Sequence, residues 1–482
     1  MQTLRRDRET DPGAHFFFNR LRVPLSNLTD PNKRVKPSDF AGKPQTPGFA
    51  ARKIAADLLG NVVHKRRPLD NELDLNSGHS GFRELAFNDR ALVRAILGVC
   101  LRHRGEIAEI IDRLLDRPIP EKSGRVLDIL HVGIAQMLFM EVPDRAAVSL
   151  AVENASADRR ARPYKGLVNG VLRRLGRERE ALTSDLDRAA LNTPEWLLES
   201  WTQSYGAETA KAIATAHQSE AALDLTIKDG SSEVWAEKLG GTVVGAGSVR
   251  LVKKGAVDKL EGFEEGAWWV QDAAAALPAK LLGDLRGKRV ADLCAAPGGK
   301  TAQLAAAGAE VTAVDISKGR LKRVSENLSR LKLSSEIVTS DIREWEPEAP
   351  FDAILLDAPC SATGTIRRHP DVPWLKQLYD VETLSKIQGE LLRRVIGWLK
   401  PGGVLVYCTC SLEKAEGEDQ IASVLAEVDG IELIPVTADE IGGLAASVTE
   451  EGYLRTLPCQ PVTKAGDETG LDGFFAARIK RL

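Results

Sequence analysis

The feature that most restricts what this chain can fold into is a pattern that begins near Trp268. Short apolar runs alternate there with sequence compatible with helices: KRVADLC, AEVTAVDIS, SSEIVTSD, FDAILLDA and GGVLVYCTC. Strands apolar on both faces and separated by helices imply a parallel sheet covered on both sides. Ligands of such sheets bind at the carboxyl ends of the strands. The residues with chemistry to offer fall at those ends.

The preceding sequence reads differently. From Pro47 to about Glu180 the apolar residues keep a helical period, as in Phe49, Ile54, Leu58 and Val62, or Leu92, Ile96, Val99 and Cys100. Prolines 118, 120, 143 and 163 punctuate the run, and no strand pattern competes. Residues 47–180 are therefore expected to form an all-α domain, and 266–482 the α/β domain. Residues 181–265 should make a connector, helical at first and then small α+β. It opens with Thr193 as N-cap and Pro194 at the first helical position, and includes a short helix around Val234–Leu239. Residues 1–46, rich in Pro, Asn, Asp and Arg, read as a flexible, mildly basic arm in which Phe16–Phe17–Phe18 could dock.

A chain of 482 residues exceeds one ordinary core, which agrees with several domains. Its longest apolar runs are broken by charge well short of a membrane span, and MQTLRRDRET has no apolar stretch after its basic residues. A cytoplasmic protein without membrane attachment is the expectation. The six cysteines lack a paired framework, and Cys408 and Cys410 are too close for a zinc knuckle, so no metal is expected. A net charge of -3 does not mark a nucleic-acid binder, so any such surface must be local. Local basic groups occur at Arg5–Arg6–Arg8, Lys33–Arg34–Lys36, Arg159–Arg160–Arg162, Arg173–Arg174 and Arg367–Arg368.

The first strand of the α/β domain runs into Asp292-Leu-Cys-Ala-Ala-Pro-Gly-Gly-Lys-Thr301, followed by a helix. Pro297, Gly298 and Gly299 turn the chain tightly and leave backbone open to a ligand. Asp315, 16 residues beyond Gly299, ends the next strand, where a carboxylate can accept from both ribose hydroxyls of an adenosine. Asp341 ends the third strand and is placed to meet an adenine amino group. A phosphate-binding P-loop needs a glycine six positions before Lys300, where Cys294 stands, and G-x-G-x-x-G is missing too. Adenosine without pyrophosphate fits best, which points to S-adenosylmethionine.

The fourth strand ends in Asp357-Ala-Pro-Cys-Ser361 and the fifth in Tyr407-Cys-Thr-Cys-Ser411. With those strands adjacent, Cys360 and Cys410 face one pocket beside the cofactor. Carbon 5 of cytosine is a poor nucleophile until a thiolate adds to carbon 6. Such a reaction needs a reactive cysteine, a group at the N3/N4 edge of the base and a proton acceptor. Lys300 and the sulfonium are the positive charges that would favour a thiolate.

DLCAAPGGKT, VDIS, DAPCSATGTIRRHPD, LVYCTCS and DGFFAARI resemble the cytosine-C5 RNA methyltransferases of the Sun (Fmu) family. YKGLVNGVLRRL resembles the NusB-like RNA-binding domain that the bacterial 16S rRNA members carry. The resemblance implies a Rossmann-like methyltransferase domain, Cys410 as the attacking nucleophile and Cys360 as the cysteine that releases methylated RNA. It implies that Asp357 contacts the base. The cofactor would lie among Cys294, Ala295, Ala296, Pro297, Gly298, Gly299, Lys300, Asp315, Arg320, Asp341 and Asp357. Gln271 and Asp272 match the segment before the first strand. Arg367, Arg368 and His369, just past Cys360, are expected to hold RNA phosphates. The implied partner is RNA, 16S rRNA or an assembling small-subunit particle, with tRNA as the alternative substrate, and the protein is expected to be a monomer. A non-catalytic NusB-like assembly or antitermination factor is the rival reading. The chain departs from the family at Cys408, where many relatives carry a small non-thiol residue, at Gly417, where Asn is common, and in its arm.

Overall fold

The computed structural model describes residues 46–251, 255–462 and 470–482. The expected arm, apart from Thr46, lies outside the described residues, as do its basic groups and its phenylalanine cluster.

Helices Phe49–Lys65, Phe87–Arg102, Arg104–Leu114, Val126–Phe139, Asp144–Ala157 and Lys165–Thr183 enclose one apolar core. Leu58, Val62, Ile96, Leu97, Ile110, Leu130 and Leu172 are buried in it, as the helical period requires. The last of these helices carries the domain to Thr183, past the expected limit at 180.

Two further helices, Glu195–Tyr205 and Ala207–Ala216, lead into the connector. Pro194 is the N-cap of the first, so Thr193 stands outside the helix rather than capping it. The small sheet contains β1 (Leu223–Ile227), β2 (Gly241–Val244), β3 (Ser248–Leu251) and β4 (Trp268–Val270). It is antiparallel throughout, in the order β2-β3-β1-β4. Because β4 pairs with β1, the connector reaches Val270, and a division at 265/266 falls short.

The large sheet holds β5 (Arg289–Leu293), β6 (Glu310–Asp315), β7 (Glu336–Thr339), β8 (Phe351–Asp357), β9 (Leu399–Thr409), β10 (Ile431–Ile434), β11 (Leu454–Thr456) and β12 (Phe474–Arg481). Their order is β10-β12-β9-β8-β5-β6-β7, with β11 paired to β12. Strands β5 to β9 are parallel, as the apolar runs predict. Val290, Leu355 and Val406 face one buried cluster, while Ala291, Ile354, Leu356 and Leu405 face the other, so helices cover both sides. The departure is β12, the FFAARIKR segment, which runs antiparallel between β9 and β10. It follows β11, with which it pairs antiparallel, and an antiparallel strand needs no crossover helix.

The chain builds β5, β6 and β7 outward, then returns to lay β8 on the other side of β5. The crevice opened by that reversal lies between β5 and β8 and is where ligands of such sheets bind. Among the described residues, no helix is long and apolar enough to cross a membrane.

Candidate active site

The loop after β5 is shaped for close backbone approach. Cys294 and Gly298 have φ of 61° and 99°, both left-handed. A Cβ on Gly298 would lie 2.9 Å from Val324 Cγ1, so glycine is required there by space as well as by conformation. Helix Gly299–Ala306 follows. Asp292, at the root of the loop, is fully buried; one carboxylate oxygen accepts from the Thr301 hydroxyl and the other, Oδ1, has no partner in the protein. Burial pushes its carboxyl up to about 7.

Across the loop, Asp315 Oδ2 accepts from the Ala296 N–H at 3.1 Å and Oδ1 from the Ser317 N–H at 2.8 Å. Each oxygen keeps a lone pair for a further donor. Arg320 hydrogen-bonds the Ala296 carbonyl and stands 3.8 Å from Asp315, holding the loop to the strand end from its exposed side. Asp341 is bridged by its neighbour Arg343, with Nη2 at 2.6 Å, so an adenine amino group would share that carboxylate rather than own it.

An orphaned buried acceptor, a turn with no Cβ and a second carboxylate with open lone pairs suit a ligand that brings an amino group and a ribose. The only cation in this loop is Lys300, and it is already paired, which disfavours a pyrophosphate. These residues fit S-adenosylmethionine.

Beside this cradle, β8 and β9 deliver the chemistry. Asp357 pairs with Cys408 in the parallel register, so Cys360 and Cys410 leave the sheet side by side. Their sulfurs are 3.4 Å apart. The hydrogen bond to Cys410, helped by burial, holds the Cys360 thiol well above its usual range, and either sulfur can be the donor of that bond. Lys300 Nζ donates to Asp357 Oδ2 at 2.8 Å. Burial opposes the ammonium, but the neighbouring negative charge, the Asp357 carboxylate first, outweighs it and raises Lys300 above its usual value. Cys408 is fully buried and contacts Asp357 Oδ1 at 3.6 Å; burial pushes its thiol far up, so it remains protonated. Cys294 is likewise raised by burial.

The structure overturns one expectation. Arg367 is 2% exposed and its Nη2 donates to Asp472 at 3.2 Å. Arg368 donates to Asp472 at 2.9 Å, to Asp272 and to the Ala222 carbonyl at 3.0 Å. Arg250 joins the same cluster with a bidentate bond to Asp224, at 2.8 Å to each oxygen. Arg367 and Arg368 are thus internal counter-charges that fasten the small sheet to the large one, and neither is placed to hold an RNA phosphate. His369 is half-exposed beside Asp70 of the helical domain, 3.4 Å away. The rest of the segment docks on that domain through Asp371, which accepts from Leu69 N–H, and Trp374, which donates to the Leu101 carbonyl. Asp272 belongs to the charge cluster, while Gln271 braces the glycine turn by donating to Gln303.

Sequence reading also missed a buried lattice behind the cysteines: Ser361, Thr363, Gln388, Ser411 and Glu416. Gln388 gave a signal, since it occupies a core position of the helix Leu378–Ile396, seven residues after buried Val381 and seven before buried Val395. Glu416 gave none. At Gly417, a Cβ would come within 2.8 Å of Arg455 Nη2 and of Phe475, which explains glycine in this chain.

A glycine cradle for an adenosine that carries no pyrophosphate, opening onto a cation and two adjacent thiols, places the chain among the S-adenosylmethionine-dependent methyltransferases. Comparison with known proteins narrows this. Residues 279–480 match the family described as 16S rRNA methyltransferase RsmB/F, and residues 50–177 match the NusB family. Ribosomal RNA small subunit methyltransferase B of Klebsiella pneumoniae subsp. pneumoniae is 36% identical over 89% of this chain and 97% of that protein. The protein of the same name from Serratia proteamaculans is 38% identical over 78% and 90%. The chain belongs to this methyltransferase family. Among solved structures, the crystal structure of PH0851 has a TM-score of 0.67 and 24% identity, covering 91% of this chain and 100% of that one, a likeness that shows the shared fold.

Proposed function

We propose that this protein methylates carbon 5 of a specific cytosine in 16S ribosomal RNA, with Cys410 as nucleophile and Cys360 as the group that permits release. The observation that carries the reading is the 3.4 Å approach of the two sulfurs at the strand ends flanking the Lys300–Asp357 pair. Cofactor contacts are assigned to the Cys294–Lys300 loop, Asp315, Arg320 and Asp341. When bound there, S-adenosylmethionine supplies an electrophilic methyl group.

In this mechanism Cys360 donates its S–H to the Cys410 thiolate, and the Lys300 ammonium adds positive charge nearby. The thiolate adds to carbon 6 of the cytosine, while Asp357 holds the N3/N4 edge of the base. Carbon 5 then carries the electron density and takes the methyl group. Once Cys410 is bonded to carbon, it no longer accepts the hydrogen bond that chiefly held the Cys360 thiol up. Cys360 therefore becomes easier to deprotonate at the stage when the carbon 5 proton must leave. With its own proton given up to solvent, the Cys360 thiolate takes the carbon 5 proton, and the C–H electron pair restores the ring double bond as Cys410 leaves with its bonding pair.

The target base has to leave its stack to reach these sulfurs, which favours a loop or an unfinished particle as substrate. With Arg367 and Arg368 engaged internally, RNA phosphates are assigned to the helical domain. Exposed Arg159 and Arg160 line a cavity of about 460 Å³ there with Lys65 and His64. The site acts in one chain, and its place of action is the cytoplasm.

The test uses unmethylated 16S RNA and labelled S-adenosylmethionine. Cys410→Ser should bind RNA and transfer no methyl group, whereas Cys360→Ser should accumulate an RNA–protein adduct that survives denaturing gels. Adduct in Cys410→Ser and none in Cys360→Ser would reverse the two roles and overturn the proposal.

A further inference from the structure

The two cysteines are held by unequal means. Cys410 follows directly on β9, which is laddered up to Cys408 by β8 on one side and up to Thr409 by β12 on the other. Cys360 lies past the end of β8, in a loop with no ladder. Between the tethers of Ala358 N–H to the Cys408 carbonyl and Gly364 N–H to the Cys410 carbonyl, each at 3.0 Å, that loop is held at Ser361 by one buried carboxylate and by the Ser411 hydroxyl. Glu416 has no exposed surface; its Oε1 accepts from the Ser361 N–H at 2.9 Å and from Gln388 Nε2 at 3.0 Å, and Oε2 accepts from the Ser361 hydroxyl. The backbone carbonyl of Glu416 accepts from Tyr407 Oη at 2.7 Å and from Thr409 Oγ1 at 3.3 Å. Gln388 Nε2 also donates to the Pro359 carbonyl at 2.8 Å.

One residue therefore grips the position just after Cys360 with its side chain and the position just before Cys410 with its backbone. Its partner Gln388 grips the position just before Cys360. We propose that Glu416 is a positioning residue that sets the spacing of the two sulfurs, with Gln388 as its second arm, and that it serves release of methylated RNA more than formation of the adduct. The inference rests on the reading of Cys410 as nucleophile and Cys360 as the releasing group. Adduct formation needs Cys410, whose strand is laddered on both sides and touches Glu416 only through its backbone carbonyl. Release needs Cys360 close to the adduct, and Cys360 depends on this carboxylate.

Glu416→Gln keeps the size and changes the match. With its oxygen at the Oε1 position the amide still accepts from the Ser361 N–H and Gln388, but its nitrogen at the Oε2 position donates to the Ser361 hydroxyl, so that bond reverses and the charge assistance of all three is lost. The Ser361 hydroxyl must then donate to Ser411 Oγ, 3.1 Å away, so the grip on the residue after Cys360 is weaker and differently directed.

The experiment follows denaturation-stable adduct and steady-state methylation together, with full-length protein, unmethylated 16S RNA and S-adenosylmethionine. In Glu416→Gln the adduct fraction should rise, and kcat fall, each on the order of tenfold, as for a catalytic group displaced by a fraction of an ångström. KM for RNA should fall alongside kcat and leave kcat/KM within about twofold of wild type, because the slowed step follows adduct formation and no RNA-binding group has moved. Gln388→Leu, which cuts only the Pro359 tether and the bond to Glu416, should give the same pattern with a smaller rise. It serves as the second reading if Glu416→Gln does not fold. A fall in kcat with adduct at the wild-type level in either folded variant would make the lattice merely structural and overturn the inference. Adduct that persists in a Cys410→Ser control would instead overturn the assignment of the nucleophile.

Discussion

Two clusters of charged and polar residues from distant parts of the chain sit a short way apart, and they are built on opposite principles. At the junction between the sheets, Asp224, Asp272 and Asp472 each face at least one guanidinium from Arg250, Arg367 or Arg368. At the carboxyl edge of β5 and β8, Asp292 keeps an unpartnered oxygen, Asp315 keeps open lone pairs, and two thiols have chiefly each other. Buried charge is costly unless matched, so a matched cluster holds structure together. An unmatched one is tolerated where a ligand completes it. Charge at the end of a motif is therefore a poor guide to ligand binding until its partners are known.

The widest separation between the clusters should come from Cys410→Ser and Arg368→Ala. The first is expected to lower methyl transfer by roughly 10⁴-fold or more, as removal of an enzyme nucleophile does, with the melting temperature unchanged. Arg368→Ala leaves Asp272 and Asp472 without their shared counter-charge and should cost about 3–5 kcal/mol of stability, the scale for breaking a buried pair. Denaturant titration measures it. The salt dependence of RNA binding should stay as it was; a reduced slope would return Arg368 to the RNA surface and break the comparison.

A smaller effect tests the unmatched side. Burial raises Asp292 to about 7 in the folded protein, above its value in the unfolded chain. The folded state then binds the proton more tightly, so the stability this group contributes is present at low pH and is lost as pH rises toward 7. Asp292→Asn still accepts from Thr301 but does not titrate. Relative to wild type without cofactor, it should gain on the order of 2 kcal/mol between pH 5 and pH 8. Parallel stability curves for the two proteins would show that Asp292 is satisfied after all. The smallest effect belongs to His369→Ala. An exposed pair with Asp70 contributes about 0–1 kcal/mol, so neither the melting temperature nor methyl transfer should move appreciably.

Much of the site was legible because strand ends carry it. β5, β6, β8 and β9 are apolar runs, and each delivers its motif at a fixed edge, so Asp292, Asp315, Asp357 and the two cysteines could be placed without coordinates. The fate of Arg367 and Arg368 was not legible, since their partners lie at Asp272 and Asp472, about a hundred residues away in sequence. Glu416 was hidden for a similar reason: its partners, Ser361 and Gln388, come from a loop and a helix that meet only when the sheet is complete.

Local sequence therefore determined the kinds of element, the parallel core of the sheet and which side chains stand at the strand ends, because periodicity, turn chemistry and motif spacing act over a few residues. Tertiary structure decided the antiparallel insertion of β12, the 3.4 Å between the sulfurs and which charges were already matched. Those depend on groups that the chain brings together only by folding, and the energy of a charge or a thiol is set by its neighbours in space.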